Sequence, residues 1–162
     1  MEKNKAMPFS ITILTIGKKG GPFEDEIDRY QMLLRPYASL TVSYLKSPAS
    51  PSCTKSELLE AEAKAILAKI PQRSYCVALA EEGGCPMGSR AFSAWLTTLG
   101  QRGNILTFII GGAYGLSPAL KKTCREMLSL SPLTFPRTLS LVVLLEQIYR
   151  AFTIFKGHPY HK

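Results

Sequence analysis

Apolar and polar residues follow one another along this chain in two rhythms, one typical of strands and one typical of helices. Residues 9–16 place apolar side chains between Ser and Thr and end at Gly17, which predicts a first strand. Strands are predicted at 9–16, 40–45, 75–80, 104–110 and 128–133. Helices are predicted at 22–35, 54–70, 89–99, 117–127 and 139–155. Because the two alternate and several strands are apolar on both faces, we predict one α/β domain over residues 1–162, a mostly parallel sheet with helices on both faces.

Short local motifs mark where several of these helices begin. Thr54 and Glu57 fit a capping box, in which each side chain satisfies an exposed amide of the other. Ser117-Pro118 is a typical pair for an N-cap and first turn, and Ser89 is placed to cap the third helix. Residues 46–52 are rich in Ser and Pro, so we expect a mobile loop without regular structure.

The last predicted helix is apolar on almost every side. Its apolar residues are Leu139, Leu141, Val142, Val143, Leu144, Leu145, Ile148, Tyr149, Ala151, Phe152, Ile154 and Phe155. One apolar stripe is enough to dock a helix on a sheet, so the excess requires a second cover. We expect a second copy of the chain to supply it, which makes the protein a homodimer. A central helix of a monomer is the alternative.

Charge points to an anionic partner. The chain has 162 residues, of which 46% are hydrophobic and 20% charged, values typical of a globular protein. Its formal net charge is +8, with a pI near 9.4, which favours nucleic acid first and a membrane surface second. The alternative is that the charge serves solubility alone.

Cysteine and histidine usage argues against a metal or a disulfide framework. Cys53, Cys76, Cys85 and Cys124 form no C-x-x-C pair, and both histidines lie near residue 160. We therefore predict reduced cytoplasmic thiols and no metal. Residues 1–8 lack the apolar core of a signal peptide, and no uncharged apolar run reaches about 18 residues, so no membrane span is expected.

Three loops are candidates for binding a ligand, because ligands of open α/β sheets lie beyond the carboxyl ends of the strands. These strand ends span 79–83, 111–115 and 130–134, and residues 81–86 are expected to turn the chain. There is no Gly-Lys-Ser/Thr, which excludes a P-loop. The strand after the glycine loop ends in Ser-Pro-Leu-Thr rather than an acid, which argues against a nicotinamide-dependent oxidoreductase.

Four ordered motifs resemble a known family. They are Phe-Ile-Ile-Gly-Gly-Ala-Tyr-Gly-Leu-Ser-Pro at 108–118, Leu-Ser-Leu-Ser-Pro-Leu-Thr-Phe-Pro at 128–136, Glu-Gln-Ile-Tyr-Arg-Ala at 146–151 and His-Pro-Tyr-His-Lys at 158–162. Together they resemble the bacterial large-subunit rRNA pseudouridine N3-methyltransferases, small members of the SPOUT class. The resemblance is strong over the last third of the chain and looser over 9–17 and 75–99. The chain departs from the family at Arg137, where histidine is common, and at Leu141, where a basic residue is frequent.

The resemblance implies S-adenosylmethionine as methyl donor, S-adenosylhomocysteine as product, a homodimer and a C-terminal trefoil knot over about 104–162. By motif, the cofactor residues would be Leu79, Gly111, Leu130, Ser131, Pro132, Leu133, Thr134 and Phe135. The implied substrate is the pseudouridine at position 1915 of 23S rRNA, methylated at N3 on assembled ribosomes. An RNA- or ribosome-binding module without catalysis is the alternative function.

Catalysis by this family requires the pseudouridine N3 to lose its proton, which calls for a base or for a cation that stabilises the anion. The resemblance suggests that Arg150 orients or stabilises the ring, and that Tyr160 and His161 complete the site from the other subunit. Two alternatives stay open: a frayed, solvated tail, and an ion pair between Arg150 and Glu146. Phosphate contacts are expected from Lys121, Lys122, Arg125, Arg137 and Lys156.

Overall fold

A computed structural model describes residues 9–86 and 88–162. Its strands are β1 (Ser10–Ile16), β2 (Ser39–Leu45), β3 (Ser74–Gly84), β4 (Ile105–Ile110) and β5 (Glu126–Leu128). Its helices are α1 (Glu24–Leu34), α2 (Lys55–Leu67), α3 (Ser89–Gln101), α4 (Pro118–Thr123) and α5 (Arg137–Phe155). Residues 1–8, for which no signal peptide is predicted, lie outside the described residues.

The strands form one sheet in the order β2-β1-β4-β3-β5, and all of its pairs are parallel. One face of the sheet packs against α1, α3 and α5, around Ile13, Phe108 and Phe152. The other face packs against α2 and α4, around Leu14 and Ile109. The predicted parallel α/β sheet with helices on both faces is therefore confirmed.

The region after β4 differs from the prediction in two places. The α4 helix ends at Thr123 rather than at residue 127, because Cys124 has an extended backbone and the Arg125 amide donates to the Cys76 carbonyl of β3. The following strand is Glu126–Leu128, so residues 129–133, predicted as strand, are loop. Hydrogen bonds to a distant strand decide this region, and a local pattern does not show them.

Two further local predictions were wrong. The strand β3 continues through Gly84 instead of turning at residue 81, since Gly84 pairs with Leu128 after an irregularity in register. Ser89 does not cap α3, whose N-cap is Gly88. The Ser89 hydroxyl instead donates to the Gln147 side chain of α5 at 3.0 Å and so ties the two helices together.

The other helix starts and the Ser/Pro loop agree with the sequence. Thr54 and Glu57 form the predicted capping box, with amide-to-side-chain distances of 2.7 and 3.2 Å. The Ser117 hydroxyl accepts the Leu120 amide at 3.1 Å and caps α4. Residues 46–52 contain neither helix nor strand.

The helix α5 lies in the core between α1 and α3. Four apolar side chains of α5 are fully buried: Leu141, Leu144, Leu145 and Ile148. The chain's own helices thus supply part of the cover that was expected from a second copy. Among the described residues this is the one helix long and apolar enough to cross a membrane, by length and composition alone. A core helix passes the same test, so the finding is weak support for a span.

Candidate active site

The three predicted loops surround one cavity at the carboxyl edge of the sheet. Its volume is about 410 Å³. The ends of β3 and β4 form two walls, the segment after β5 forms a third, and Arg137 and Ser140 at the start of α5 complete the lining. Parallel strands deliver their carboxyl ends to one edge, which is why segments far apart in sequence meet here.

The glycine loop after β4 is built around a close backbone contact. A Cβ atom on Gly111 would lie 2.4 Å from the backbone of Gly115, so no other residue fits there without movement of the loop. Gly115 has φ of 74°, in the left-handed region that glycine adopts without strain, and its amide donates to the Gly112 carbonyl at 3.1 Å. The three glycines of the loop therefore bring backbone close to the cavity.

Most residues nominated for cofactor binding line this cavity. The seven that do are Leu79, Gly111, Leu130, Ser131, Leu133, Thr134 and Phe135. Pro132 is exposed and is not part of the lining. The loop after β5 is held by its own serines: the Ser129 hydroxyl donates to the Ser131 carbonyl, and the Ser131 hydroxyl accepts the Leu133 amide at 3.0 Å.

Charged side chains also line the cavity, and the cofactor assignment did not include them. Glu81 and Glu82 lie in the last part of β3, and Glu82 is ion-paired with Lys121 of α4. The hydrogen bond from Lys121 holds the pKa of Glu82 below its usual range. The position of both acids at the end of a predicted strand was a signal in the sequence, whereas the pairing of Glu82 with Lys121 required the fold.

The three nominated catalytic residues gather around Glu146 at the other end of α5. Arg150 donates from Nε to Glu146 Oε1 at 3.0 Å and pairs with it through a second nitrogen as well. The Tyr160 hydroxyl donates to the same oxygen at 3.1 Å, and the Arg150 guanidinium lies over the Tyr160 ring, 4.8 Å from its centroid. Arg150 and Tyr160 thus meet within one chain, and the alternative ion pair between Arg150 and Glu146 is present.

The protonation of this cluster follows from its contacts. Arg150 Nη1 lies 3.3 Å from His161 Nδ1, and since a guanidinium only donates, Nδ1 is the acceptor of this contact. Partial burial of the hydroxyl raises the pKa of Tyr160, and Tyr30 and Glu146 raise it further. Tyr160 is therefore a hydrogen-bond donor near neutral pH and not a base. Hydrogen bonding to Glu146 likewise raises the pKa of Arg150.

The tail that carries Tyr160 and His161 is folded against the protein. His158 Nδ1 lies 2.7 Å from the Tyr37 hydroxyl, and the His158 amide donates to the Thr153 carbonyl at 2.8 Å. The Tyr160 ring meets the Tyr149 ring edge-on, with 4.9 Å between centroids. These contacts argue against the frayed-tail alternative.

The cavity and the tail cluster do not meet within one chain. Ser140 lines the cavity, and Arg150 lies ten residues further along α5, which at a helical rise of 1.5 Å per residue separates them by about 15 Å. Neither Arg150, Tyr160 nor His161 lines the cavity. Within one chain, the cavity and the tail cluster are therefore separate groups of residues.

The residues expected to contact phosphate are spread over two regions. Lys121 and Arg137 line the cavity, Lys122 is exposed next to Lys121, and Arg125 is exposed just before β5. Lys156 is exposed at the far end of α5, with its ammonium 5.5 Å from the Phe155 ring centroid. In residues 9–86 and 88–162, no group of three His, Cys, Asp or Glu side chains is placed to hold a metal ion.

Comparison with known proteins identifies the family. The model of a family described as "Predicted SPOUT methyltransferase" matches residues 9–161. The chain belongs to this SPOUT methyltransferase family. The carboxyl-edge cavity and the tail are both within the matched residues.

Relatives within the family match the chain almost end to end. A protein of Clostridium acetobutylicum named ribosomal RNA large subunit methyltransferase H is 40% identical over 159 residues, which is 94% of this chain and 99% of that protein. Proteins of the same name from Streptococcus thermophilus and Gemmatimonas aurantiaca are 40% and 34% identical, with the same coverage.

Solved structures support the SPOUT fold. A probable methyltransferase of Bordetella pertussis superposes with a TM-score of 0.56 at 13% identity, covering 90% of this chain and 97% of that one. A putative methyltransferase of Legionella pneumophila, solved with bound S-adenosylmethionine, superposes with a TM-score of 0.51 at 12% identity, covering 90% and 67%. At such identities the likeness concerns the fold alone.

Proposed function

We propose that this chain is an S-adenosylmethionine-dependent methyltransferase of large-subunit ribosomal RNA, and that it methylates N3 of pseudouridine 1915 in 23S rRNA on assembled ribosomes. The observation that carries the proposal is near-full-length identity of about 40% to proteins named ribosomal RNA large subunit methyltransferase H. The choice of N3 and of this pseudouridine rests on the four motifs, which include the tail at 158–162.

The carboxyl-edge cavity suits the methyl donor. Its volume of about 410 Å³ falls within the range of small-molecule sites, and its glycine loop allows close approach by a ligand to backbone amides and carbonyls. Leu79, Gly111 and the loop of Leu130, Ser131, Pro132, Leu133, Thr134 and Phe135 would hold it. S-adenosylmethionine supplies a methyl group made electrophilic by its sulfonium.

The chain's own contribution to methyl transfer is to orient the pseudouridine ring and to stabilise the anion that remains when N3 loses its proton to solvent water. Arg150 is positioned to stabilise negative charge on the pseudouridine ring, since it stays cationic and its Nη1 reaches beyond the Glu146 pair. Tyr160, held protonated, donates a hydrogen bond rather than accepting the proton. His161 accepts a bond from Arg150 at Nδ1, which turns its Nε2 away from that contact.

A homodimer follows from the separation of the two halves of the site. The cavity and the tail cluster are about 15 Å apart along α5, so we place the tail of one subunit over the cavity of the other. Half-buried apolar side chains on α5, Val142 and Val143 among them, are available for the subunit contact. The net charge of +8 suits a ribosomal partner in the cytoplasm.

The knot is part of the same proposal. The membership of the SPOUT family supports a trefoil knot over about 104–162, the region that contains the glycine loop, the loop after β5 and α5. Such threading would hold two cavity walls together without covalent links. A high-resolution experimental structure that shows whether α5 passes through the loop tests it.

Two measurements test the function. Calorimetry with S-adenosylmethionine should show binding, and absence of binding at millimolar cofactor would rule out the methyltransferase. Mass spectrometry of 23S rRNA from cells that lack the protein should show pseudouridine 1915 without its N3 methyl group, and re-expression should restore it. If ribosomes bind the protein but cofactor does not, the non-catalytic RNA-binding module is correct instead.

A further inference from the structure

Buried polar atoms without partners concentrate beside the carboxyl-edge cavity. Among the described residues, five buried side-chain atoms lack a hydrogen-bond partner: Thr15 Oγ1, Glu24 Oε1, Tyr44 OH, Ser47 Oγ and Arg137 Nη1. Buried polar groups in folded proteins are nearly always hydrogen-bonded, so such a group requires an explanation. A ligand or an ordered water is the usual one.

These atoms lie near one another at the carboxyl ends of β1 and β2. Thr15 and Tyr44 are register partners on those strands. The Arg137 guanidinium covers Gly17, where a Cβ would lie 2.7 Å from its Cζ, and the Gly17 amide donates to the Leu45 carbonyl at 2.8 Å. The cluster therefore joins the end of the sheet to the first turn of α5.

Arg137 is the residue of this cluster that lines the cavity, and no described carboxylate is paired with its positive charge. Of the two cations in the described lining, Lys121 is paired with Glu82, while no described carboxylate forms an ion pair or hydrogen bond with Arg137. Glu24, the acid of the cluster, interacts with other groups: its Oε2 accepts the Gly20 amide at 2.8 Å and its Oε1 lies 3.6 Å from Lys19.

The start of α5 adds positive potential near the Arg137 guanidinium. Arg137 begins a helix of 19 residues whose N-cap, Pro136, makes no side-chain capping bond. The exposed amides of a first helical turn attract anions, so this end of α5 adds positive potential to that of the guanidinium.

We propose that Arg137 is an oxyanion anchor in the wall of the cavity and that its ligand is the α-carboxylate of the methyl donor. The inference rests on the proposed function and extends it to one named contact. A guanidinium binds carboxylate or phosphate through charge-assisted hydrogen bonds. The carboxylate is favoured over an RNA phosphate because Arg137 lines the cavity in which the cofactor itself would lie.

The test compares S-adenosylmethionine with 5′-methylthioadenosine, which lacks the amino-acid part. In Arg137→Gln the calorimetric affinity for S-adenosylmethionine should fall roughly 10–100-fold, as expected for loss of a charge-assisted bond, while the affinity for methylthioadenosine should stay within about threefold. Arg137→Lys should lose less. Arg102→Gln makes the same change at an exposed site outside the cavity and should alter neither affinity.

Each other outcome overturns the carboxylate contact. Equal loss for both ligands in Arg137→Gln and Arg137→Lys would mean that Arg137 supports the cavity wall. Another outcome is that Arg137→Gln keeps its cofactor affinity but binds ribosomes more weakly, with a salt dependence of ribosome binding reduced by about one phosphate contact. That result would assign Arg137 to RNA binding. If the unaltered protein binds no S-adenosylmethionine, the inference and the proposed function fall together; if it binds and Arg137→Gln binds equally well, the inference alone falls.

Discussion

A mixed dimer tests whether each site is shared between subunits. Gly111→Ala should abolish cofactor binding, because the new Cβ would lie 2.4 Å from the Gly115 backbone and force the glycine loop to move. Arg150→Ala should remove the tail cluster's cation while leaving the cavity intact. Each variant alone should therefore be inactive as a homodimer, for a different reason.

Mixing the two variants should restore activity if the tail acts across the dimer. The separation of about 15 Å along α5 means that Arg150 of one chain does not reach that chain's own cavity. Random exchange makes half of the dimers mixed, and each mixed dimer has one site with an intact cavity and an intact tail. Activity should then recover to about a quarter of that of the unaltered protein.

The assay is transfer of a radioactive methyl group to ribosomes from a strain that lacks the enzyme, after the variants are mixed, unfolded and refolded together. Light scattering confirms that each variant is dimeric, and Leu79→Trp, which fills the cavity from β3, serves as a second cavity variant. No activity above that of the separate variants, with mixed dimers present, would refute the shared site. A monomeric mass at micromolar concentration would refute the dimer itself.

Three further predictions follow from individual contacts. Deleting residues 160–162 should abolish methyl transfer yet leave cofactor affinity within a few-fold, since none of them lines the cavity; unchanged turnover would contradict this. Ser117→Ala should lower the unfolding free energy by about 1 kcal/mol in urea, because it removes the cap on Leu120, while exposed Ser56→Ala should change little. Burial raises the pKa of Cys124 to about 11, so its thiolate is scarce at pH 8. Iodoacetamide should therefore label the exposed Cys85 before Cys124, as measured by peptide mass spectrometry. Equal labelling rates at the two cysteines would show that the Cys124 site is open.

Local signals predicted the elements whose partners are close in sequence. The capping box of Thr54 and Glu57 and the cap of Ser117 form as expected, because both interactions span three residues. Four of the five strands were located to within a few residues, since their apolar runs are continuous. The three strand-end loops were also predicted to converge, a consequence of parallel strands ending at one edge.

Predictions failed where a distant segment supplies the partner. The strand β5 is shorter than predicted and begins earlier in the chain because it pairs with β3. The Arg125 amide donates to the Cys76 carbonyl, and the Ser129 amide donates to the Gly84 carbonyl. Ser89 bonds to Gln147 of α5 instead of capping its own helix. A local sequence pattern shows neither arrangement, because each depends on a hydrogen bond to a residue about 45 to 60 positions away along the chain.

For the site, the glycine loop, the loop after β5 and the residues of the tail could be recognised from the sequence, because turns and motifs consist of adjacent residues. The fold was needed to show that Arg137 enters the cavity wall without a paired acid among the described residues, and that Arg150, about 15 Å along α5 from Ser140, meets Tyr160 on Glu146. The reason is geometric. A straight helix fixes the distance between its two ends, and what each end contacts depends on where the rest of the chain lies.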